Sequence, residues 1–73
     1  MNYNKFISTT MAEYKKHYKM YLLFDANGSD DIKDEYFCRC WALDDLAMKL
    51  FPRKTKETSN RMSQIRIDLK EVS

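Results

Sequence analysis

Apolar and polar positions change period along this chain, and the changes divide it into segments. Over residues 6–17, Met11 and Tyr14, continued by Tyr18, recur at three- and four-residue steps, the repeat that lines up side chains on one helix face. Ser8 or Thr9 would cap that helix with a side-chain oxygen. From Tyr18 the period shortens. Tyr18, Met20, Leu22 and Phe24 alternate with Lys19, Tyr21, Leu23 and Asp25, the two-residue repeat of a strand. Asn27-Gly28 then reads as a hairpin turn. Residues 35–42 are rich in aromatic and strand-favouring types, with Tyr36, Cys38 and Cys40 on one face and Phe37, Arg39 and Trp41 on the other. The pattern predicts an antiparallel hairpin over 18–42 with an acidic loop at 29–34.

Helical period returns at 43–51, where Leu43, Leu46, Ala47, Leu50 and Phe51 share a face and Asp44 and Asp45 occupy the first turn. Pro52 stops this helix, and residues 53–57 read as a basic linker. In the last segment, about 56–71, Met62, Ile65, Leu69 and Val72 follow helical spacing. A shorter alternation of Ile65, Ile67 and Leu69 offers a strand instead; the longer helical stripe favours the helix. The expected fold is α+β: a single domain, residues 1–73, in which an antiparallel β-hairpin or small sheet packs against two C-terminal helices, with an N-terminal helix added.

Composition narrows the function classes. With 73 residues, one Gly, one Pro and 14% aromatics, the chain reads as one small folded domain. A domain this size spends nearly all its apolar side chains on one core, which leaves little for a substrate pocket of ~300 Å³ or more. An enzyme is therefore not expected. The longest apolar run, Met20–Phe24, is too short for a signal peptide core or a membrane span. Cys38 and Cys40 suit a disulfide badly, so the expectation is reduced thiols in the cytoplasm, with no membrane partner.

Charge adds more than composition. Residues 1–24 sum to +3, residues 25–45 to −5 and residues 46–73 to +4, within a total of only +2. Such segregation favours oriented binding to a charged macromolecule. The acidic set Asp30, Asp31, Asp34 and Glu35 would meet a basic groove on a partner. Tyr21, Phe37 and Trp41 would anchor the contact from an open sheet face, being of the types enriched at binding hot spots. A homodimer through that sheet face is the alternative use of the same surface.

Three other constellations carry less. Residues 25–36 resemble a calcium loop in their first positions, but Gly28 falls at the fourth rather than the sixth, and Tyr36 stands where a bidentate carboxylate belongs. Cys38, Cys40 and His17 are too few for a structural zinc site, and the cysteines are too close in sequence for its usual spacing. A thiol–imidazole pair would need His17 beside a sulfur, which nothing in the sequence arranges. No metal or cofactor is expected. The stretch 43–70, a short helix, a turn and a basic helix, reads like a helix-turn-helix unit with Lys54, Lys56, Arg61 and Arg66 available to phosphates and base edges. A small nucleic-acid-binding transcriptional regulator is therefore the alternative function.

Several strings resemble a known group of proteins. Lys5-Phe6-Ile7 followed by Ser8-Thr9, the Asn27-Gly28-Ser29 turn, a helix ending Leu50-Phe51, and Arg61-Met62 leading into a final amphipathic helix are similar to features of small phage-encoded inhibitors, the type I-F anti-CRISPR proteins. The resemblance implies an antiparallel sheet with two C-terminal helices and a non-catalytic inhibitor of a host protein or nucleoprotein complex. It carries no site residues over.

Overall fold

In the computed structural model, which describes residues 2–72, the chain forms three helices: α1 (Tyr3–Ala26), α2 (Asp30–Leu50) and α3 (Thr55–Val72), with a 3-10 turn at Pro52–Lys54 before the last. No strand occurs among the described residues. The fold is all-α, not α+β, and the sheet implied by the anti-CRISPR resemblance is absent with the hairpin.

Two stripes that cross the expected boundaries explain the correction. On α1, Ile7, Met11, Tyr14 and Tyr18 are buried, and Tyr21 and Leu22 continue them at helical spacing. On α2, Tyr36, Cys40, Leu43 and Ala47 step by four, three and four. Each series is longer than the local alternation at 18–25 or the aromatic string at 35–42. The period sustained over more turns wins because it buries one continuous face. The N-terminal helix is accordingly longer than 6–17. Asn2 caps it, its side chain accepting from the Asn4 amide at 2.8 Å, and Ser8 and Thr9 lie within it. The helix expected at 43–51 is the C-terminal part of α2.

Asn27-Gly28 turns the chain between helices rather than between strands. Gly28 has φ +73°, the left-handed conformation that a helix C-terminus uses to reverse the chain. Its amide donates to Asp25 O at 3.2 Å and the Ser29 amide to Phe24 O at 3.0 Å, the paired bonds of a Schellman motif. The expected acidic loop does not exist. Asp30 and Asp31 form the first turn of α2, where their charge opposes the positive end of the helix dipole. Phe51 ends α2 and Pro52 opens the 3-10 turn, so the proline acts as expected, while the expected linker at 53–57 is mostly structured. The last segment is helical, as its longer stripe predicts. Val72, the final member of that stripe, lies outside the residues whose side chains are described.

Cross-helix pairs fix the directions. Phe6 meets Phe51, Tyr14 meets Cys40, Tyr21 meets Phe37 and Asp25 meets Lys33, so α1 and α2 are antiparallel. Tyr3 shares a hydrogen bond with Thr58 and Tyr14 with Arg66, so α3 runs parallel to α1. At ~1.5 Å per residue, α1 spans nearly the whole 38 Å long axis. The core comprises Ile7, Met11, Tyr14 and Tyr18 from α1, Cys40 and Ala47 from α2, and Met62 from α3. Fully burying a side chain such as Ile7 or Met62 contributes about 1.5–3 kcal/mol. The three helices share this core unequally: α1 buries five residues, while α2, with 21, buries only Cys40 and Ala47.

Candidate docking surface

One flank of α2 is left without an intramolecular cover. Asp34, Phe37, Trp41, Asp44 and Met48 follow one another at steps of three, four, three and four, so they form a single stripe along the helix. Within it Phe37 is 52%, Trp41 66% and Met48 37% exposed. Three large apolar side chains in one row, facing solvent and interleaved with carboxylates, are the features of a protein-binding face.

Beside the stripe a cavity of about 250 Å³ opens between the helices. Buried Tyr14, Tyr18 and Cys40 form its floor, Phe37 and Trp41 its walls, and Asp44 and Arg66 its rim. The Tyr14 and Tyr18 rings lie parallel with centroids 6.1 Å apart. Arg66 does not swing freely. Its guanidinium donates to Tyr14 Oη at 2.7 Å and to Ser63 Oγ at 2.9 Å. Burial raises the Tyr14 phenol above its ordinary pKa, against the opposing pull of Arg66. Burial likewise pushes the Cys40 thiol up to about 11, with Arg66 again pulling the other way. Both groups are neutral near pH 7, so Asp44 and Arg66 supply the charge of this site. Its volume lies below the ~300 Å³ where small-molecule sites begin, and suits a single inserted side chain.

The four acids expected to act together are divided by the helix. Asp30 pairs with Lys33 at 3.4 Å and Glu35 with Arg39 at 2.9 Å. Lys33 also reaches Asp25 at 3.3 Å, and its hydrogen bonds to Asp25 and Asp30 raise its pKa. Asp31 and Asp34 make no ion pair among the described residues, and Asp44 joins them in that state; Asp45 is held by Lys49 at 3.0 Å. Asp31 and Asp34 thus carry charge without a paired cation, while Asp44 shares the cavity rim with Arg66. Sequence reading assigned Asp44 only to a helix first turn and missed Met48. The signal for both was the heptad-like spacing from Asp34, which the assumed hairpin cut in two.

Of the three expected aromatics, Phe37 and Trp41 lie on the exposed stripe, and Tyr21 supports it from α1. Tyr21 stacks on Tyr18 at 5.3 Å and contacts Phe37 at 5.7 Å, so it is half-buried packing rather than an outer anchor. There is no sheet face for the three to share.

The expected basic set is also divided. Arg53, Lys54, Lys56, Asn60, Arg61 and Gln64 line an open groove of about 540 Å³ along the start of α3. Glu57 lies among them, 3.5 Å from Lys54 and 3.8 Å from Arg61. Lys54 also lies 5.4 Å from the Tyr3 ring centroid. Arg66 is absent from this groove, since it serves the rim beside Trp41. The helix-turn-helix reading is altered too, because α2 is a long core helix and not a short leading one.

Other expectations separate in space. Cys38 is exposed and Cys40 buried, and both are free. The Cys40 sulfur faces Tyr14 O at 4.0 Å, whereas His17 packs on Tyr36 and lies 3.5 Å from Glu13, so no thiol–imidazole pair is arranged. Among the described residues no group of three His, Cys, Asp or Glu converges on a metal-sized position, and no helix is long and apolar enough to cross a membrane. The calcium-like stretch 25–36 is divided among the end of α1, the turn and α2. Comparison with protein-family models, curated proteins and solved structures finds no match to this chain.

Proposed function

We propose that this chain is a non-catalytic binding protein that docks a protein partner through the acidic, aromatic flank of α2. The stripe Asp34–Phe37–Trp41–Asp44–Met48 carries the reading. It combines exposed apolar area, which supplies affinity when covered, with carboxylates that make no ion pair among the described residues and so favour a basic surface. Charge on the whole supports this orientation: α2 holds six acids against three bases, while the outer side of α1 carries Lys5, Lys15, Lys16 and Lys19. In its inhibitory form, which the resemblance to type I-F anti-CRISPR proteins implies, such docking occludes a host protein or nucleoprotein complex. Two free thiols accord with a reducing compartment such as the cytoplasm.

The test is capture of partner by the purified chain and its variants from cells in which it acts. Combined Asp31, Asp34 and Asp44→Asn changes, and separately Trp41→Ser, should each lose the captured protein. Retention by both variants overturns the reading.

A second reading, nucleic-acid binding, rests on the groove at the start of α3, where Arg53, Lys54, Lys56 and Arg61 outnumber Glu57. Duplex binding that falls steeply with salt, and weakens in an Arg53→Gln and Lys56→Gln variant, would support it. Absence of a mobility shift at low salt removes it.

A further inference from the structure

We infer that the occupant of the α2 flank is an amphipathic helix whose apolar residues are flanked by Lys or Arg, with one apolar side chain inserted into the Tyr14–Tyr18–Cys40 cavity. The inference rests on the docking reading above and names the partner's chemistry.

The stripe offers a facing helix a seam of matching repeat and length. Steps of three and four residues give an average repeat of about 3.5, the repeat at which one helix packs its side chains into the gaps of another. From Asp34 to Met48 the stripe runs four helical turns, about 21 Å at 1.5 Å per residue, long enough to guide a facing helix along its length. The cavity lies midway along it, between Phe37 and Asp44. An apolar side chain entering there would cover the Trp41 ring and rest on buried aromatic rings, the enclosed setting in which a partner's anchor gains most.

The charges argue for a basic helix rather than a second copy of this chain. Antiparallel self-pairing about Trp41 sets Asp44 against Phe37 and Asp34 against Met48 of the other copy, placing carboxylates over apolar groups. Parallel self-pairing sets each carboxylate against its own counterpart. Lys or Arg at the positions facing Asp34 and Asp44 removes both penalties, and its aliphatic stem packs on the neighbouring rings. The observed stripe is thus mismatched to itself and matched to a helix with apolar and cationic residues at alternating seam positions.

Trp41 is the only tryptophan, so its emission reports the occupant directly. The probe is a synthetic helical peptide of about 20 residues, with Lys at the seam positions that face Asp34 and Asp44 and Leu at the others, long enough to be helical when docked. Titration into the full chain should shift Trp41 emission to shorter wavelength and form a one-to-one complex by sedimentation. The same peptide with Leu replaced by Ala, or Lys by Glu, should bind at least tenfold more weakly. An Asp34→Lys and Asp44→Lys variant should lose tenfold or more. A Lys15→Gln and Lys16→Gln variant, altered on the far side of α1, should bind like the parent.

Equal binding of the Leu and Ala peptides overturns the anchor, and equal binding by the Asp34→Lys and Asp44→Lys variant overturns the charge match. A dimer without peptide that Trp41→Ser abolishes gives the surface to a second copy and overturns the inference. If the Leu/Lys peptide fails while capture of the cellular partner still requires Trp41, the docking face stands and the helical occupant falls. If capture is also indifferent to Trp41, both fall.

Discussion

The guanidinium of Arg66 donates a 2.7 Å hydrogen bond to the hydroxyl of Tyr14, joining two helices across 52 residues of sequence. The bond does two things. It satisfies a phenol whose ring lies in the core, and it holds a cation at the rim of the cavity beside Trp41. Arg66 is therefore a structural residue of the α1–α3 contact, and its place there removes it from the basic groove on α3.

Tyr14→Phe deletes this bond while keeping the ring. The expected cost is about 1–2 kcal/mol, the range for a hydrogen bond with a charged donor that retains partial access to water. Urea unfolding measures it. A double-mutant cycle with Arg66→Met should recover a coupling of at least about 0.5 kcal/mol, since the two groups touch. Independent effects would show that the contact contributes nothing to the fold.

Gly28→Ala isolates a backbone effect. A Cβ at this position meets no heavy atom within 4 Å, so sterics with neighbours cost nothing, but φ is +73°. Alanine should lose about 1–2 kcal/mol through the left-handed conformation alone. Gly28→Asn should lose less, because asparagine tolerates that region better. Equal stability of parent and Gly28→Ala would mean the α1–α2 turn is not held in this geometry in solution.

The buried thiol makes stability depend on alkaline pH. Cys40 titrates at about 11 in the folded chain against 9.0 for an ordinary thiol. Between those values the unfolded chain has released a proton that the folded chain keeps. The contribution is therefore complete below pH 9 and lost as pH rises through 11. Tyr14, also raised by burial, adds a loss of the same sign above its ordinary value of 10.0. Stability measured from pH 8 to 11 should fall, and Cys40→Ala should flatten the slope even as it lowers the level by leaving a void. An unchanged slope would place the thiol in water.

Much of the core was legible, though not as elements of the right length. Met11, Tyr14 and Tyr18 showed their helical spacing, and Met62, Ile65 and Leu69 specified the last helix against a shorter strand-like alternation. What misled was the junction. Asn27-Gly28 is a strong turn signal, but a glycine with positive φ ends a helix as readily as it turns a hairpin. Taking it as a hairpin turned the aromatic string 35–42 into a strand and placed Asp30, Asp31, Asp34 and Glu35 in a loop. The pairing of Asp30 with Lys33 and of Glu35 with Arg39 depends on helical neighbours that only the correct element supplies, and it leaves Asp31 and Asp34 without an ion pair among the described residues. Phe37 and Trp41 were selected by residue type and do face solvent. Asp44 and Met48, which complete their stripe, belong to a period that becomes visible only when 30–50 is one helix.

A docking residue and a core residue should respond differently to truncation. Trp41→Ser, at a side chain 66% exposed, should change stability by no more than about 0.5 kcal/mol. Ile7→Ala, at a residue 1% exposed, should cost about 2–5 kcal/mol. Thermal or urea unfolding of the two variants checks the contrast. A large loss for Trp41→Ser would make the tryptophan part of the fold rather than of a binding face.

Oxidative footprinting of the chain alone and in its captured complex would test the docking face most directly. Trp41 and Met48 are exposed, and thioether oxidation marks exposed methionine. In the complex, labelling of both should fall severalfold, while Leu23 on α1 and Ile67 on α3 label as in the free chain. Unchanged labelling of Trp41 and Met48 in a stable complex would place the contact elsewhere and contradict the assignment of this face.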